Sequence, residues 1–288
     1  MRFTLSEIIA ATGARVLGAD QAEKTVITGF ATDSRQAGPG SLFVPIRGEN
    51  VDGHSFIGKA FESGAAASFS DHEVEAPGPV LVVPDPRRAL QQFAGWYRST
   101  LSLPIVGITG SVGKTTSKEM IAQALTAGFN VWKTPGNQNS QVGVPVTVCG
   151  IGKQHTAAVI EMGVSMPGEM DRIAAVVKPT LAVMTNIGVS HLEFMKTREN
   201  ILAEKAKIAG YLPEDGVLLV NGDDDLLPTL RETSPHRVVT FGLGPRCDWR
   251  GLSLNETDRG TYFACLEPGG RRTELFVPAA GAHNVRNA

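Results

Sequence analysis

The sequence predicts an α/β protein: a small N-terminal α/β domain followed by a mostly parallel central sheet of the phosphate-binding-loop type, flanked by helices. Three observations predict it. Gly107-Ile108-Thr109-Gly110-Ser111-Val112-Gly113-Lys114-Thr115-Thr116 follows an apolar run (Leu103, Pro104, Ile105, Val106) and precedes a helix-like stretch at 117–127. From about residue 103 near-continuous apolar strands alternate with helices, the rhythm of a parallel sheet covered on both faces. The first hundred residues differ in texture, with short apolar strands set between Gly/Pro turns. Domains are therefore expected at 1–101 and 102–288.

In the first domain, Thr4-Leu5-Ser6-Glu7 reads as a capping box opening a short helix. Turns at Gly38-Pro39-Gly40, Gly48, Gly53 and Ala76-Pro77-Gly78-Pro79 separate strands at 41–46 and 80–83, and helical patterns fall at 56–63 and 87–99. In the second domain, strands are predicted at 105–108, 157–161, 181–185, 217–220 and 238–241, with helices at 114–127, 168–176, 199–212 and 226–231. The segments 249–254, 261–266 and 273–277 are shorter and alternating, which predicts antiparallel strands at the edge of the sheet. The last eight residues look like the opening turn of a helix. One turn is unstable by itself, so the chain is expected to be a fragment.

Composition excludes several classes. The 288 residues carry 27 basic and 29 acidic side chains, a formal charge of −2, with no Lys/Arg cluster. There is no electrostatic case for nucleic acid or an anionic membrane surface. The three cysteines, Cys149, Cys247 and Cys265, form neither a disulfide framework nor a zinc pattern. No secretory leader is expected from the first residues, and no stretch approaches the roughly 18 apolar residues that span a bilayer. A cytoplasmic, monomeric protein is expected.

The chemistry centres on the glycine-rich loop. Strand, loop, Lys-Thr and helix present backbone N–H groups and a helix N-terminus to a polyphosphate. Lys114 would neutralise the outer phosphates and the Thr115 hydroxyl would reach Mg²⁺. The strict pattern G-x-x-x-x-G-K-[ST] fails at one position, because Ile108 stands six residues before Lys114; glycines fall at 107, 110 and 113 instead. Other polar residues gather where strands should end: Glu161, Asn186 with His191 and Glu193, Lys205 on the next helix, and Asn137 and Asn139 in the 134–145 loop. Ligands of open α/β sheets bind at such strand ends. A carboxylate and an imidazole there suit a Mg²⁺-nucleotide. Each has a plainer alternative: a solvated glutamate, a turn-capping His191, a surface Lys205.

These residues resemble the Mur ligases, ATP-dependent amide-forming enzymes of bacterial peptidoglycan synthesis. The resemblance is carried by Thr32-Asp33-Ser34-Arg35, Ser41-Leu42-Phe43-Val44, Gly48-Glu49-Asn50-Val51-Asp52-Gly53-His54, the 107–116 loop, the 136–145 segment, Glu161-Met162-Gly163, Thr185-Asn186-Ile187-Gly188 with His191-Leu192-Glu193, and 281–288. It runs from about residue 5 to the last. The variant glycine spacing is the one this family uses, and the Gly136-Asn137-Gln138-Asn139…Gly143-Val144-Pro145 segment points to members that add D-alanyl-D-alanine.

The resemblance implies roles. Thr109, Gly110, Ser111, Val112, Gly113, Lys114, Thr115 and Thr116 would hold the ATP phosphates with Asn137 and Asn139 nearby, and Asn284 and Asn287 would lie near the adenine. Thr115 would bind one Mg²⁺, and Glu161 and His191 a second. Lys205 would be carbamylated, and Lys114, His191 and Lys205 would form the catalytic set. Ser34, Arg35, Asp52, Gly53 and His54 would contact the UDP-sugar. The implied partners are UDP-MurNAc-peptide and D-alanyl-D-alanine. Two departures stand out: Lys207 occupies a position where an acidic residue is expected, and the family's third, Rossmann-like domain is missing from the sequence, so these residues alone are expected to bind but not ligate. The sister ligase that adds the third amino acid, and a nucleotide-binding module without turnover, are the rival readings.

Overall fold

The computed structural model describes residues 2–18, 24–48 and 50–288. Glu49 of the Gly48–His54 motif lies outside the described residues. The chain forms two compact units, Met1–Ser102 with Gln141–Gly152, and Leu103–Ser140 with Lys153–Ala288.

The first unit opens with β1 (Phe3–Thr4) and α1 (Leu5–Thr12). The capping box forms, Glu7 N–H donating to Thr4 Oγ1 and Thr4 N–H to Glu7 Oε2. Then come β2 (Arg15–Leu17), β3 (Val26–Ile27), β4 (Gly29–Ala31), β5 (Ser41–Phe43), α2 (Ile57–Glu62), β6 (Ala67–Ser70), β7 (Val80–Val82) and α3 (Pro86–Ser99). Five strands form a sheet in the order β2-β7-β6-β5-β4, parallel except for β2 against β7, and β1 pairs with β3. Asp85 caps α3 by accepting from the N–H groups of Arg87 and Arg88, and Pro86 supplies a helix-ready φ. Phe93 on its inner face meets Phe3 edge-on at 4.9 Å, and Phe30 lies 5.6 Å away.

In the second unit β8 (Ile105–Thr109), α4 (Lys114–Leu125) and β9 (Val131–Lys133) are followed by α5 (Gly143–Cys149), which belongs to the first unit. There Gln91 Nε2 and the Tyr97 hydroxyl of α3 donate to the carbonyls of Gln141 and Ile151. Apolar Val144, Val148 and Cys149 are fully buried. A contiguous 102–288 domain thus gives way to an excursion, 141–152, whose apolar face packs against a helix about fifty residues earlier. The chain continues through β10 (Ala157–Glu161), α6 (Glu169–Val177), β11 (Leu181–Met184), α7 (Leu192–Met195), α8 (Arg198–Ala206), β12 (Val217–Asn221), α9 (Leu230–Thr233), β13 (Arg237–Gly242), β14 (Trp249–Thr257), β15 (Gly260–Leu266), β16 (Arg272–Val277) and α10 (Ala282–Asn287).

Nine strands form one sheet, β16-β15-β14-β13-β12-β11-β8-β10-β9, parallel from β9 to β14 and antiparallel at the β14–β15–β16 edge. Ile108, Val159 and Val183 of three adjacent strands pack on Ala122, Ile121 and Leu125 of α4, which fixes the helix over the sheet. The helix expected at 199–212 ends at Ala206 and tightens into a 3₁₀ turn, Lys207–Tyr211, containing Gly210. Around Pro228 the one expected at 226–231 becomes a 3₁₀ turn, Leu227–Thr229, before α9. Among the described residues no helix is long and apolar enough to cross a membrane.

Candidate active site

Thr109 ends β8 and Lys114 begins α4, so 110–113 is the turn between strand and helix. Gly110 and Gly113 have φ of 148° and 83°. A Cβ on Gly110 would lie 2.0 Å from Thr185 Oγ1, so both conformation and space demand glycine. The loop is stitched to the end of β11: Asn186 Oδ1 accepts from the N–H groups of Ser111 (3.1 Å) and Val112 (2.8 Å), and Thr185 Oγ1 donates to Val112 O at 2.6 Å. Gly188 N–H donates to Ser111 Oγ at 2.9 Å. Gly113 caps α4 without a side chain, leaving that helix end's N–H groups for an anion. Lys114 Nζ donates to the carbonyls of Gly110 (2.9 Å) and Ser111 (3.2 Å); burial lowers its pKa, opposed by the charge of Glu161. Thr109 Oγ1 is buried at the head of the loop with no partner.

Glu161 closes β10 level with Ile108 of β8 and is 1% exposed. Its Oε1 accepts from Asn139 Nδ2 at 2.7 Å, and Thr115 Oγ1 donates to the carboxylate at 3.0–3.2 Å. The sheet order thus brings three predicted residues from three segments to one point.

A fourth was not anticipated. Lys118, one helical turn beyond Lys114, is 1% exposed, with Nζ 3.7 Å from Glu161 Oε2. It donates to the carbonyls of Thr134 (3.0 Å) and Gly136 (3.2 Å), and pairs with Glu119 at 3.2 Å. The available signal was its spacing of four from Lys114, which shares a helix face. It holds the 134–139 loop, and so Asn139, against Glu161.

Lys205 on α8 is 2% exposed and makes no hydrogen bond or ion pair among the described residues. Desolvation first, and then the positive charge of Lys114, bring its pKa down to about 8, against Glu204 and Glu169. Lys207 pairs with Asp171 and Glu204, each at 2.8 Å, so the unexpected cation is compensated. His191 is exposed at the N-cap of α7 with φ 65° and does not bond to Glu161. Asn137 is also exposed. Asn287 lies against the loop: its Oδ1 accepts from Ser117 Oγ at 3.4 Å and would meet a Gly113 Cβ at 2.9 Å. One turn earlier, Asn284 Nδ2 donates to Ala280 O. Beside Asn287 and Ser117 opens a cavity of about 330 Å³ lined by Ile121, Phe241, Trp249 and Phe263.

In the first unit the predicted residues sit in two turns. Asp33 caps the 3₁₀ turn Ser34–Gln36 and pairs with exposed Arg35 at 2.6 Å; hydrogen bonds from Arg35 hold its carboxyl at about 2. Asp52 caps Gly53–Phe56, where His54 Nδ1 lies 2.6 Å from Asp52 Oδ1. A Cβ on Gly53 would strike the Ile46 backbone at 2.6 Å. His54 is buried, Ser34 is buried, and Arg35 and Asp52 face solvent.

The family profile described as Mur ligase middle domain matches residues 108–288, and the one described as Mur ligase family, catalytic domain, matches 26–98. The UDP-N-acetylmuramoyl-tripeptide–D-alanyl-D-alanine ligase of Bacillus subtilis is 41% identical over 271 residues, 93% of this chain and 58% of that protein. A crystal structure of MurF from Acinetobacter baumannii superposes with a TM-score of 0.91 at 31% identity, covering 100% of this chain and 63% of the other. MurF ligase from Thermotoga maritima in complex with ADP superposes at 0.80 with 28% identity, covering 90% and 60%. The chain therefore spans about three fifths of the length of these relatives. With both profiles matched in chain order, and the larger covering most of the sequence, the chain belongs to the Mur ligase family.

Proposed function

We propose that this chain is the nucleotide- and UDP-sugar-binding part of an ATP-dependent ligase that joins D-alanyl-D-alanine to UDP-MurNAc-tripeptide. The observation that carries it is the meeting of Thr115, Asn139 and buried Glu161 beside a glycine loop closed by Lys114. The relatives' names and the ADP complex of the Thermotoga maritima enzyme support it. In this reading residues 102–288 take ATP and residues 1–101 take the UDP-sugar, through Ser34, Arg35 and the Asp52-Gly53-His54 turn.

The tripeptide carboxylate attacks the γ-phosphate of ATP, giving an acyl phosphate and ADP. The amine of the dipeptide then attacks the activated carbonyl, forming the amide and releasing phosphate. Two anions must meet in the first step, and Lys114 and the loop N–H groups stabilise the charge that gathers there. The residues suit Mg²⁺: a hydroxyl and a buried carboxylate set side by side are hard oxygen donors, so Thr115 would hold one ion and Glu161, with His191, a second. Bound Mg²⁺ supplies charge neutralisation at the phosphate oxygens. Asn139 and Lys118 keep Glu161 oriented. Lys205, buried, unpaired and with its pKa brought down to about 8, is suited to react in its neutral amine form with CO₂, giving a carbamate and a proton. Asn284 and Asn287 would flank the adenine.

The test has two parts. Calorimetry with ADP and Mg²⁺ on this chain should show binding that Lys114→Ala weakens about a hundredfold while leaving the fold intact, as expected for a lost charge-assisted contact of about 2–3 kcal/mol. Phosphate release by the complete gene product should require UDP-MurNAc-tripeptide plus D-alanyl-D-alanine. Release with UDP-MurNAc-dipeptide plus a free amino acid instead would assign the sister reaction, and unchanged ADP affinity in Lys114→Ala would refute the loop's role.

A further inference from the structure

Beyond β5 and β6 in the first unit lies a cluster in which the ligase reading assigns a role to His54 alone. Asp71 and His72 follow β6 directly, and His54 lies in the turn that leads into α2. One ligand atom from each of His54, Asp71 and His72 can be chosen so that all lie within 4.8 Å of one another. The two imidazole rings are 5.3 Å apart, and His72 Nδ1 is 2.6 Å from Asp71 Oδ1.

The hydrogen bonding around His54 leaves its second nitrogen facing the wrong way for a neutral ring. With Nδ1 at 2.6 Å from Asp52 Oδ1, the proton belongs on Nδ1, and Nε2 keeps its lone pair. Nε2 accepts only a long bond, 3.4 Å, from the Asp71 N–H, and also faces Asp71 Oδ1 at 3.3 Å. Two acceptors turned toward each other at a site whose imidazole is 6% exposed repel unless something positive lies between them. The local charge points the same way. Asp52 and Asp71 are matched by one guanidinium, Arg47, at 3.5 Å and 2.8 Å, and Arg47 takes Asp71 Oδ2, leaving Oδ1 toward the histidines.

We propose that His54, Asp71 and His72 form a binding site for a zinc-like divalent cation. Two imidazoles and one carboxylate are the donor set that such borderline ions prefer over Mg²⁺. The Asp52 carboxylate on Nδ1 is the outer partner that fixes a metal-binding histidine's tautomer and ring direction. A cavity of about 260 Å³ lined by Arg47, His54, Asp71 and Arg87 reaches two of the three ligands, and exposed His72 is open to solvent. Its ligands belong to the first unit and the proposed Mg²⁺ ligands to the second, and His54 is the one residue it shares with the proposed UDP-sugar turn.

The experiment is a Zn²⁺ titration of the metal-free 288-residue chain against a chromophoric chelator, in excess Mg²⁺, for the wild type, His72→Ala and Asp71→Asn. Circular dichroism checks each fold, and exposed His72 is the variant that leaves it undisturbed. One Zn²⁺ per chain is expected, weakened at least about tenfold in both variants, since loss of even an outer partner costs that much. Wild-type affinity and stoichiometry in a folded His72→Ala would overturn the site. So would absence of Zn²⁺ binding by the wild-type chain, which would leave a proton as the charge between His54 and Asp71.

Discussion

Both units set polar residues just beyond the C-terminal ends of parallel strands, yet they hold them differently. In the second unit the ties are long in sequence and buried: Thr115 reaches Glu161 across 46 residues, Asn139 across 22, and Ser111 reaches Asn186 across 75. In the first unit Arg35 pairs with Asp33, and His54 with Asp52, each two residues away, with Arg35 and Asp52 exposed. A buried, cross-linked carboxylate cannot relax when a partner is lost. The exposed Arg35–Asp33 pair rehydrates. One arrangement suits charge that must be fixed before a reaction, and the other a surface that adapts to a large ligand.

The sharpest break of this contrast is Lys118→Met. Removing one partner from a buried ion pair costs about 3–5 kcal/mol, so urea unfolding should show a loss of that order. Arg15→Ala, which removes the 59% exposed partner of Glu73 in the first unit, should lose about 1 kcal/mol or less. Equal losses would erase the distinction.

Next comes the pH dependence of Lys205. Its folded pKa lies at about 8, below the ordinary 10.5, so the unfolded chain binds the extra proton between those values. Stability therefore rises with pH through that window, and the full penalty of burying the cation is present below about pH 8. Wild type should gain up to about 3 kcal/mol relative to Lys205→Met between pH 8 and 10.5, read as the difference between their urea curves. A flat difference would place the Lys205 amine in water. ¹³C-bicarbonate NMR should show a carbamate signal that rises as the pH passes 8 and is absent in Lys205→Met.

The smallest stability effect belongs to Arg35→Ala. Its urea midpoint should match wild type because the Asp33 pair is exposed, whereas affinity for UDP-MurNAc-peptide should fall about tenfold, the size of one charge-assisted hydrogen bond. Unchanged affinity would remove Arg35 from the proposed UDP-sugar surface.

Local pattern carried much of this. The 107–116 loop, the Thr4–Glu7 capping box and the antiparallel edge strands were legible because each depends on residues within one or two turns of one another. Glu161 was legible as a strand-end carboxylate, but its burial was not, and the same holds for Lys205, for which a surface lysine was the plainer expectation. His191 was legible as a residue just past a strand end, but its exposure at the start of α7, with no capping bond from its side chain, was not. The 141–152 excursion was illegible because its apolar face completes a core whose other half, α3, lies far back in the chain.

By itself, then, the sequence determined the α/β class, the glycine turn between β8 and α4 and the family, since glycine placement, apolar periodicity and capping act through neighbours along the chain. Only the tertiary structure decided that Lys118 and Asn139 converge on Glu161, that Lys205 is stripped of water beside Lys114, and that His54 and His72 meet at Asp71. Those outcomes depend on which strands become neighbours and on how much water is excluded between them. Desolvation and through-space charge are properties of the folded arrangement, and no spacing in the sequence encodes them.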